Sequence, residues 1–246
     1  ENISILMVDG MDVDKAALKD RVKESLDRLV RENYVARQGD AYNFLTDEEQ
    51  DISRAISETP VDAALIIEGI KKSLFSGIYT ATKLRVGAND FPFDRYVDDS
   101  AYGVAQGGMK LNVVTVADDL SRADDAELAV KSANIALVVL ADDIDYFDDL
   151  QNVAKIRKYR KTINTEALAP STQQIIQAKM KEATFVEREA AKLLEEAVLH
   201  ARVAVNGSMV NVRATKPADV FDQALSKLTD AIFTKADYIA DPAKAD

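Results

Sequence analysis

The chain has 246 residues, 47% of them hydrophobic, enough for two modules of ordinary size with a sizeable core and too apolar for intrinsic disorder. Its 42 acidic against 31 basic residues leave a net charge of −11. That argues against a general nucleic-acid coat and against an anionic membrane surface, both of which need surplus Lys and Arg, while leaving room for a local basic patch. The absence of cysteine excludes disulfides and thiolate-held zinc or iron–sulfur centres and is compatible with a reducing cytosol. No apolar run approaches the roughly 18 residues of a membrane span, and no charged-then-apolar leader is present. The chain opens on Glu1 instead of Met and closes on a soft polar tail, as expected of a piece cut from a longer protein and equally of a processed chain.

Residues 3–8 read as a short strand or buried entry segment. From Asp14, the spacing of Leu18, Val22, Leu26, Leu29 and Val30 predicts a helix with one apolar stripe, ending near Asn33. Its other face carries Lys15, Lys19, Lys23 and Arg31 among Asp20, Glu24 and Asp27. Such a face is either the helix a winged-helix protein offers to the major groove or a solvated face of mixed charge, and its acidity favours the second. Residues 34–37 and 42–45 are two extended pieces around Gln38-Gly39-Asp40, where a hairpin turn wants a glycine at positive φ. Tyr42 and Phe44 share one face, the mark of a half-buried edge. Thr46 with Glu49 makes a capping box, and Asp47 and Glu48 suit the positive end of the helix it opens. Together these elements read as the end of a winged helix-turn-helix over residues 1–57.

Thr59-Pro60-Val61-Asp62 reads as a cap followed by proline at the first helical position. The helix it opens is expected to reach about Phe75, with Ala63, Ala64, Ile67, Ile70 and Leu74 on one side and Gly77 as its stop. Two central strands are expected, at residues 111–117 and 135–141; the second does not alternate, as in a strand buried on both faces. Between them, Ser121 with Asp124 is expected to cap a short helix ending near Ala133. Residues 146–200 read as a long helical hairpin. Leu150, Val153 and Ile156 mark its first arm, and Pro170 is the break. The second arm, to about His200, carries Ile176, Met180, Ala183, Val186, Ala190, Leu193, Leu194 and Ala197 and is rich in good helix formers. A β-hairpin follows over 201–214 around Asn206-Gly207. Pro217 opens a last helix, with Val220, Phe221, Leu225, Leu228, Ile232 and Phe233 inward. The predicted fold class is therefore α+β: a winged-helix-like module, 1–57, followed by a mixed α/β module with a long helical hairpin, 58–246.

Several stretches bear on chemistry. Val138-Val139-Leu140-Ala141-Asp142-Asp143 looks like a Walker B strand delivering acid to magnesium, but no G-x-x-x-x-G-K-[ST] loop accompanies it in the sequence. Asp142, Asp143, Asp145, Asp148 and Asp149 lack the glycine and distal glutamate of a calcium loop, and helix N-terminal charge complementarity accounts for them. Residues 155–161 put Lys155, Arg157, Lys158, Arg160 and Lys161 into seven positions. That is the best local phosphate-binding candidate, balanced evenly against ordinary basicity at a helix C-terminus. His200, the single histidine, has no partner in a recognisable triad. The Gly103-Val-Ala-Gln-Gly-Gly loop does not open a helix and is a weak phosphate cradle.

The run YNFLTDEEQDI at residues 42–52, preceded by Leu29-Val30 and Tyr34-Val35, resembles the BrxC/PglY family of large P-loop proteins from bacteriophage-exclusion (BREX) defence systems. RVGANDFPFDRY at 85–96 and TINTEALAPSTQ at 162–173 resemble the same family, so the likeness covers most of the chain. The resemblance implies a cytoplasmic ATPase subunit of an anti-phage system that also holds a DNA methyltransferase and other subunits. ATP and magnesium would belong to a P-loop elsewhere in the parent protein. That P-loop has no matching positions here, so no catalytic residue, cofactor or metal is assigned to this chain. The chain is then expected to be a non-catalytic internal or C-terminal fragment that contacts double-stranded DNA, other BREX subunits, or both, with no membrane contact and with self-association through 171–200 as a further option. Candidate nucleic-acid contacts are Lys15, Lys19, Lys23, Arg37, Lys155, Arg157, Lys158, Arg160 and Lys161. The alternatives are a protein-interaction scaffold with no DNA contact, favoured by the acidic charge, and a metal-dependent enzyme using Asp142 and Asp143.

Overall fold

The computed structural model of the chain describes residues 2–8, 14–38, 41–142 and 144–233. The segment expected to be a short strand or a buried entry segment is instead a short helix, α1 (Asn2–Leu6), with Ile5 and Leu6 exposed. An apolar run with no partner strand closes its backbone hydrogen bonds locally. Helix α2 (Lys15–Arg31) is capped by the Asp14 carboxylate, which accepts the Ala16 and Ala17 amides at 2.9 and 3.2 Å. Val22 of its stripe is buried, and Leu18, Leu26, Leu29 and Val30 are half-buried. Asn33, at φ 62°, turns the chain out of the helix.

Strands β1 (Val35–Gln38) and β2 (Ala41–Phe44) pair antiparallel, Val35 opposite Phe44 and Gln38 opposite Ala41. The expected turn residues Gly39 and Asp40 lie outside the described residues. Tyr42 is half-buried, but Phe44 is 86% exposed, so the expected apolar face is covered at one end only. The capping box forms as predicted: the Glu49 amide donates to Thr46 Oγ1 (3.3 Å) and the Thr46 amide to Glu49 Oε2 (2.8 Å), opening α3 (Asp47–Ser57). Ile52 and Ile56 are its buried side chains of largest size.

The next helix, α4 (Ala63–Ser73), begins three residues beyond Pro60, because the Asp62 carboxylate accepts the Ala64 amide at 3.0 Å and caps it. Ile66 and Ile70 face the core, continued by Leu74 and Phe75, while Ala63 and Ala64 are exposed. The helix does not stop at Gly77; it widens into a π turn, Leu74–Ile78.

A mixed sheet follows, built from β3 (Lys83–Val86), β4 (Asn89–Val97), β5 (Ser100–Ala101), β6 (Met109–Val114), β7 (Ile135–Val139), β8 (Arg202–Val205) and β9 (Ser208–Val210). Its order is β3-β4-β6-β7-β8-β9, with β5 paired to β4. β4, β6 and β7 run parallel, and the outer pairings are antiparallel. The helices that follow α4 are α5 (Asp125–Lys131), α6 (Tyr146–Thr162), α7 (Pro170–Leu199) and α8 (Pro217–Ile232). Leu111, Val113, Ala136, Val138, Val203 and Val205 face a core shared with α4, α7 and α8, whereas Val114, Leu137, Val139 and Ala204 face Leu128 of α5. β7 is thus buried on both faces, as its unbroken apolar run predicts. β6 starts two residues earlier than expected and ends at Val114, because the Thr115 amide leaves the ladder for Asp98.

Other differences are local. Asp118, not Ser121, caps a 3-10 turn (Asp119–Arg122), and Asp124 caps α5 by accepting the Glu127 amide. The Asn206-Gly207 hairpin turn has φ 46° and 88°, the paired positive values that sequence selects. On α8, Val220, Phe221, Leu225 and Leu228 are buried, but the expected inward stripe stops before Ile232 and Phe233, which are largely exposed.

The chain forms two compact units. One comprises Glu1–Pro60 and Lys155–Lys181, and the other Val61–Ala154 and Glu182–Asp246. The end of α6 and the start of α7 therefore belong with the first unit, where the Ser171 and Thr172 hydroxyls donate to Glu48. This differs from two modules divided at residue 57, because side-chain ties between distant residues leave no signal in local periodicity.

Candidate functional site

Because β4, β6 and β7 are parallel, their carboxyl ends reach one edge of the sheet, the edge at which open α/β sheets place ligands. β4 leaves this edge through Asp98 and Asp99, two consecutive residues at φ 46° and 57°. The Asp98 carboxylate accepts the Thr115 amide at 2.7 Å and the Thr115 hydroxyl at 2.6 Å. Burial raises its pKa above the ordinary carboxylate range, against the lowering effect of those two hydrogen bonds. Asp99 accepts from Lys110 Nζ (2.7 Å) and Asn112 Nδ2 (3.1 Å). Tyr146, at the start of α6, is fully buried, with the Val116 backbone as the polar group nearest its hydroxyl among the described residues. Burial raises the pKa of that phenol, and the charges of Asp98 and Asp142 add to the effect.

A crevice of about 600 Å³ opens at the end of β7, lined by Ser121, Val139, Leu140, Ala141, Asp142, Ile144, Glu196, His200 and Arg202. Arg202 is already committed: Nη1 donates to the Ala123 carbonyl and Nη2 to the Ser121 carbonyl, both at 2.8 Å, and Asp125 lies 3.6 Å from Nη1. Asp142 and Glu196 are therefore the charged groups of the lining that set its sign, beside the imidazole of His200. Asp142 and His200 are both singled out by sequence, but separately; the antiparallel return of β8 beside β7 brings them together. Glu196 and Arg202 are not singled out. The i, i+4 spacing of Glu196 and His200 at a helix end is the signal that could have found the first.

The cationic candidates lie elsewhere. Lys155 Nζ donates to the Ser57 carbonyl (2.9 Å), answering the carboxyl end of α3, and Lys158 Nζ to the Pro60 carbonyl (2.6 Å) in the segment that follows. Arg157 is half-buried, while Arg160 and Lys161 are exposed in the last turn of α6. Lys23 and Arg37 share a groove of about 520 Å³ with Asp20, Glu24, Asp27, Val30 and Arg31. Lys15 and Lys19 are exposed on α2 but do not line that groove.

Two further sequence motifs take a definite form. The glycine loop is an anion cradle occupied from within: Asp94 accepts the amides of Gln106, Gly107 and Gly108 at 2.7, 2.8 and 3.1 Å. In the Walker B-like stretch the strand ends at Val139 and Asp142 is exposed, while Asp143 lies outside the described residues. Among the described residues no group of three His, Cys, Asp or Glu side chains is arranged to hold a metal ion.

The family model described as "BREX ATP-binding protein BrxC 4th domain with six-stranded beta sheet" matches residues 59–228. That span contains α4, the whole mixed sheet and most of α8, and the continuous path of the sheet has six strands, with β5 beside it. No solved structure matches the chain.

Proposed function

We propose that this chain, which belongs to the BREX BrxC fourth-domain family, serves in a BREX ATP-binding protein as a non-catalytic contact module for other subunits of the defence system. The observation that carries this reading is the fate of the densest basic run. Two of its five cations, Lys155 and Lys158, are spent on backbone carbonyls of the chain itself. Lys23, Arg31 and Arg37 share their groove with three carboxylates, Asp20, Glu24 and Asp27. With a net charge of −11, such a surface favours protein partners over phosphate backbones.

Nucleotide chemistry is assigned to another part of the parent protein, since a phosphate cradle of the P-loop type has no counterpart in this sequence and the one glycine loop holds Asp94. A cytoplasmic setting accords with this reading, and no described helix is long and apolar enough to cross a membrane. The helix–hairpin–helix of α2, β1, β2 and α3 would then act as a docking element in the manner of a winged helix used without DNA. One observation favours the DNA reading instead: Lys15, Lys19, Arg160 and Lys161 are exposed.

The test is to mix the chain with each other subunit of its own BREX system and follow the mixtures by size-exclusion chromatography with light scattering. A complex of defined mass with at least one subunit is expected. A chain that elutes alone from every mixture overturns the proposal.

A further inference from the structure

We infer that the crevice at the carboxyl edge of the sheet is a receptor for a basic side chain, arginine or lysine, presented by a partner protein. The inference rests on the partner-contact reading and names the chemistry of one contact. Three features of the lining fit such a group together. Val139, Leu140 and Ile144 supply an apolar wall for the methylene stem of a long cationic side chain. Asp142 and Glu196 supply carboxylates for its head. The crevice also lies beside the end of α7, where the last carbonyls carry the negative end of the helix dipole.

Arg202, the cation among the described lining residues, does not cancel this field. The Arg202 guanidinium is turned to the Ser121 and Ala123 carbonyls and to Asp125, so its charge is answered on the α5 side. What remains is acidic, and a volume of about 600 Å³ accommodates one long side chain with flanking backbone. An anionic ligand would meet two carboxylates and a helix carboxyl end, and a purely apolar one would leave both carboxylates desolvated and unpaired.

The experiment is an amide-resolved NMR titration of the whole chain at low ionic strength with the capped peptide acetyl-Gly-Arg-Gly-amide. Acetyl-Gly-Glu-Gly-amide is the control. Saturable shifts are expected at Ala141, Asp142, His200 and Arg202 with the arginine peptide alone. The Asp142→Asn, Glu196→Gln double variant, altered only at exposed positions, should bind about tenfold more weakly. Equal shifts with the glutamate peptide, no saturable shift in the crevice, or undiminished binding by the double variant would each overturn the assignment. A subunit complex that forms without any crevice response would remove this inference and leave the contact role standing; absence of any complex would remove that role first.

Discussion

Gly108, just before β6, lies against the backbone of β4. A β-carbon there would stand 2.6 Å from the Pro92 carbonyl oxygen, and backbone cannot swing aside as a side chain can. Gly108→Ala is therefore expected to lower unfolding free energy by about 1–3 kcal/mol, read from urea denaturation, with the amides of Gln106 and Gly107 losing hydrogen-exchange protection as Asp94 loses its cradle. Asp149 carries a pH signature. Burial raises its pKa in the folded chain, and the neighbouring charges of Asp145 and Asp148 add to this. The fold thus prefers the protonated acid, and that contribution is full below the unfolded carboxylate value of about 3.9 and is lost as pH rises through the folded value. Asp149→Asn should then be more stable than the parent at pH 7, with the difference shrinking as pH falls toward 4. A difference independent of pH would contradict the assignment.

At the scale of elements, what could be read in advance was what local chemistry decides. The Thr46 cap, the unbroken apolar strand at β7 and the Asn206-Gly207 turn all depend on residues near one another in the chain. Thr46→Ala removes the acceptor of the Glu49 amide and should cost about 0.5–2 kcal/mol in chemical denaturation, with the loss confined to the unit that holds α3. The start of α4 was misplaced because Pro60 and Asp62 both suit a helix start, and the carboxylate prevails by supplying an acceptor. Residues 3–8 carry no legible signal for the α1 helix, because a short apolar run has no period of its own. The candidate site was half legible: Asp142 and His200 stand out by type, but only the pairing of β7 with β8 makes them neighbours. The basic run was legible as charge but not as structure, since its bonds to Ser57 and Pro60 join residues remote in sequence.

At the scale of the whole molecule, an acidic chain of two compact units carries its densest basic run in one of them, where two lysines bond carbonyls at and just beyond the end of α3. The central claim is that Lys155 and Lys158 are internal ties and that the surface serves protein contact. The most direct measurement is fluorescence anisotropy of a labelled DNA duplex titrated with the chain between 50 and 200 mM salt. A surface that used six or so phosphate contacts would lose roughly a thousandfold in affinity across that range. The account predicts no saturable binding at 50 mM and no salt slope. Saturable binding that collapses by 200 mM and is abolished by charge reversal at Lys155, Arg157, Lys158, Arg160 and Lys161, or at Lys15, Lys19 and Lys23, would contradict it.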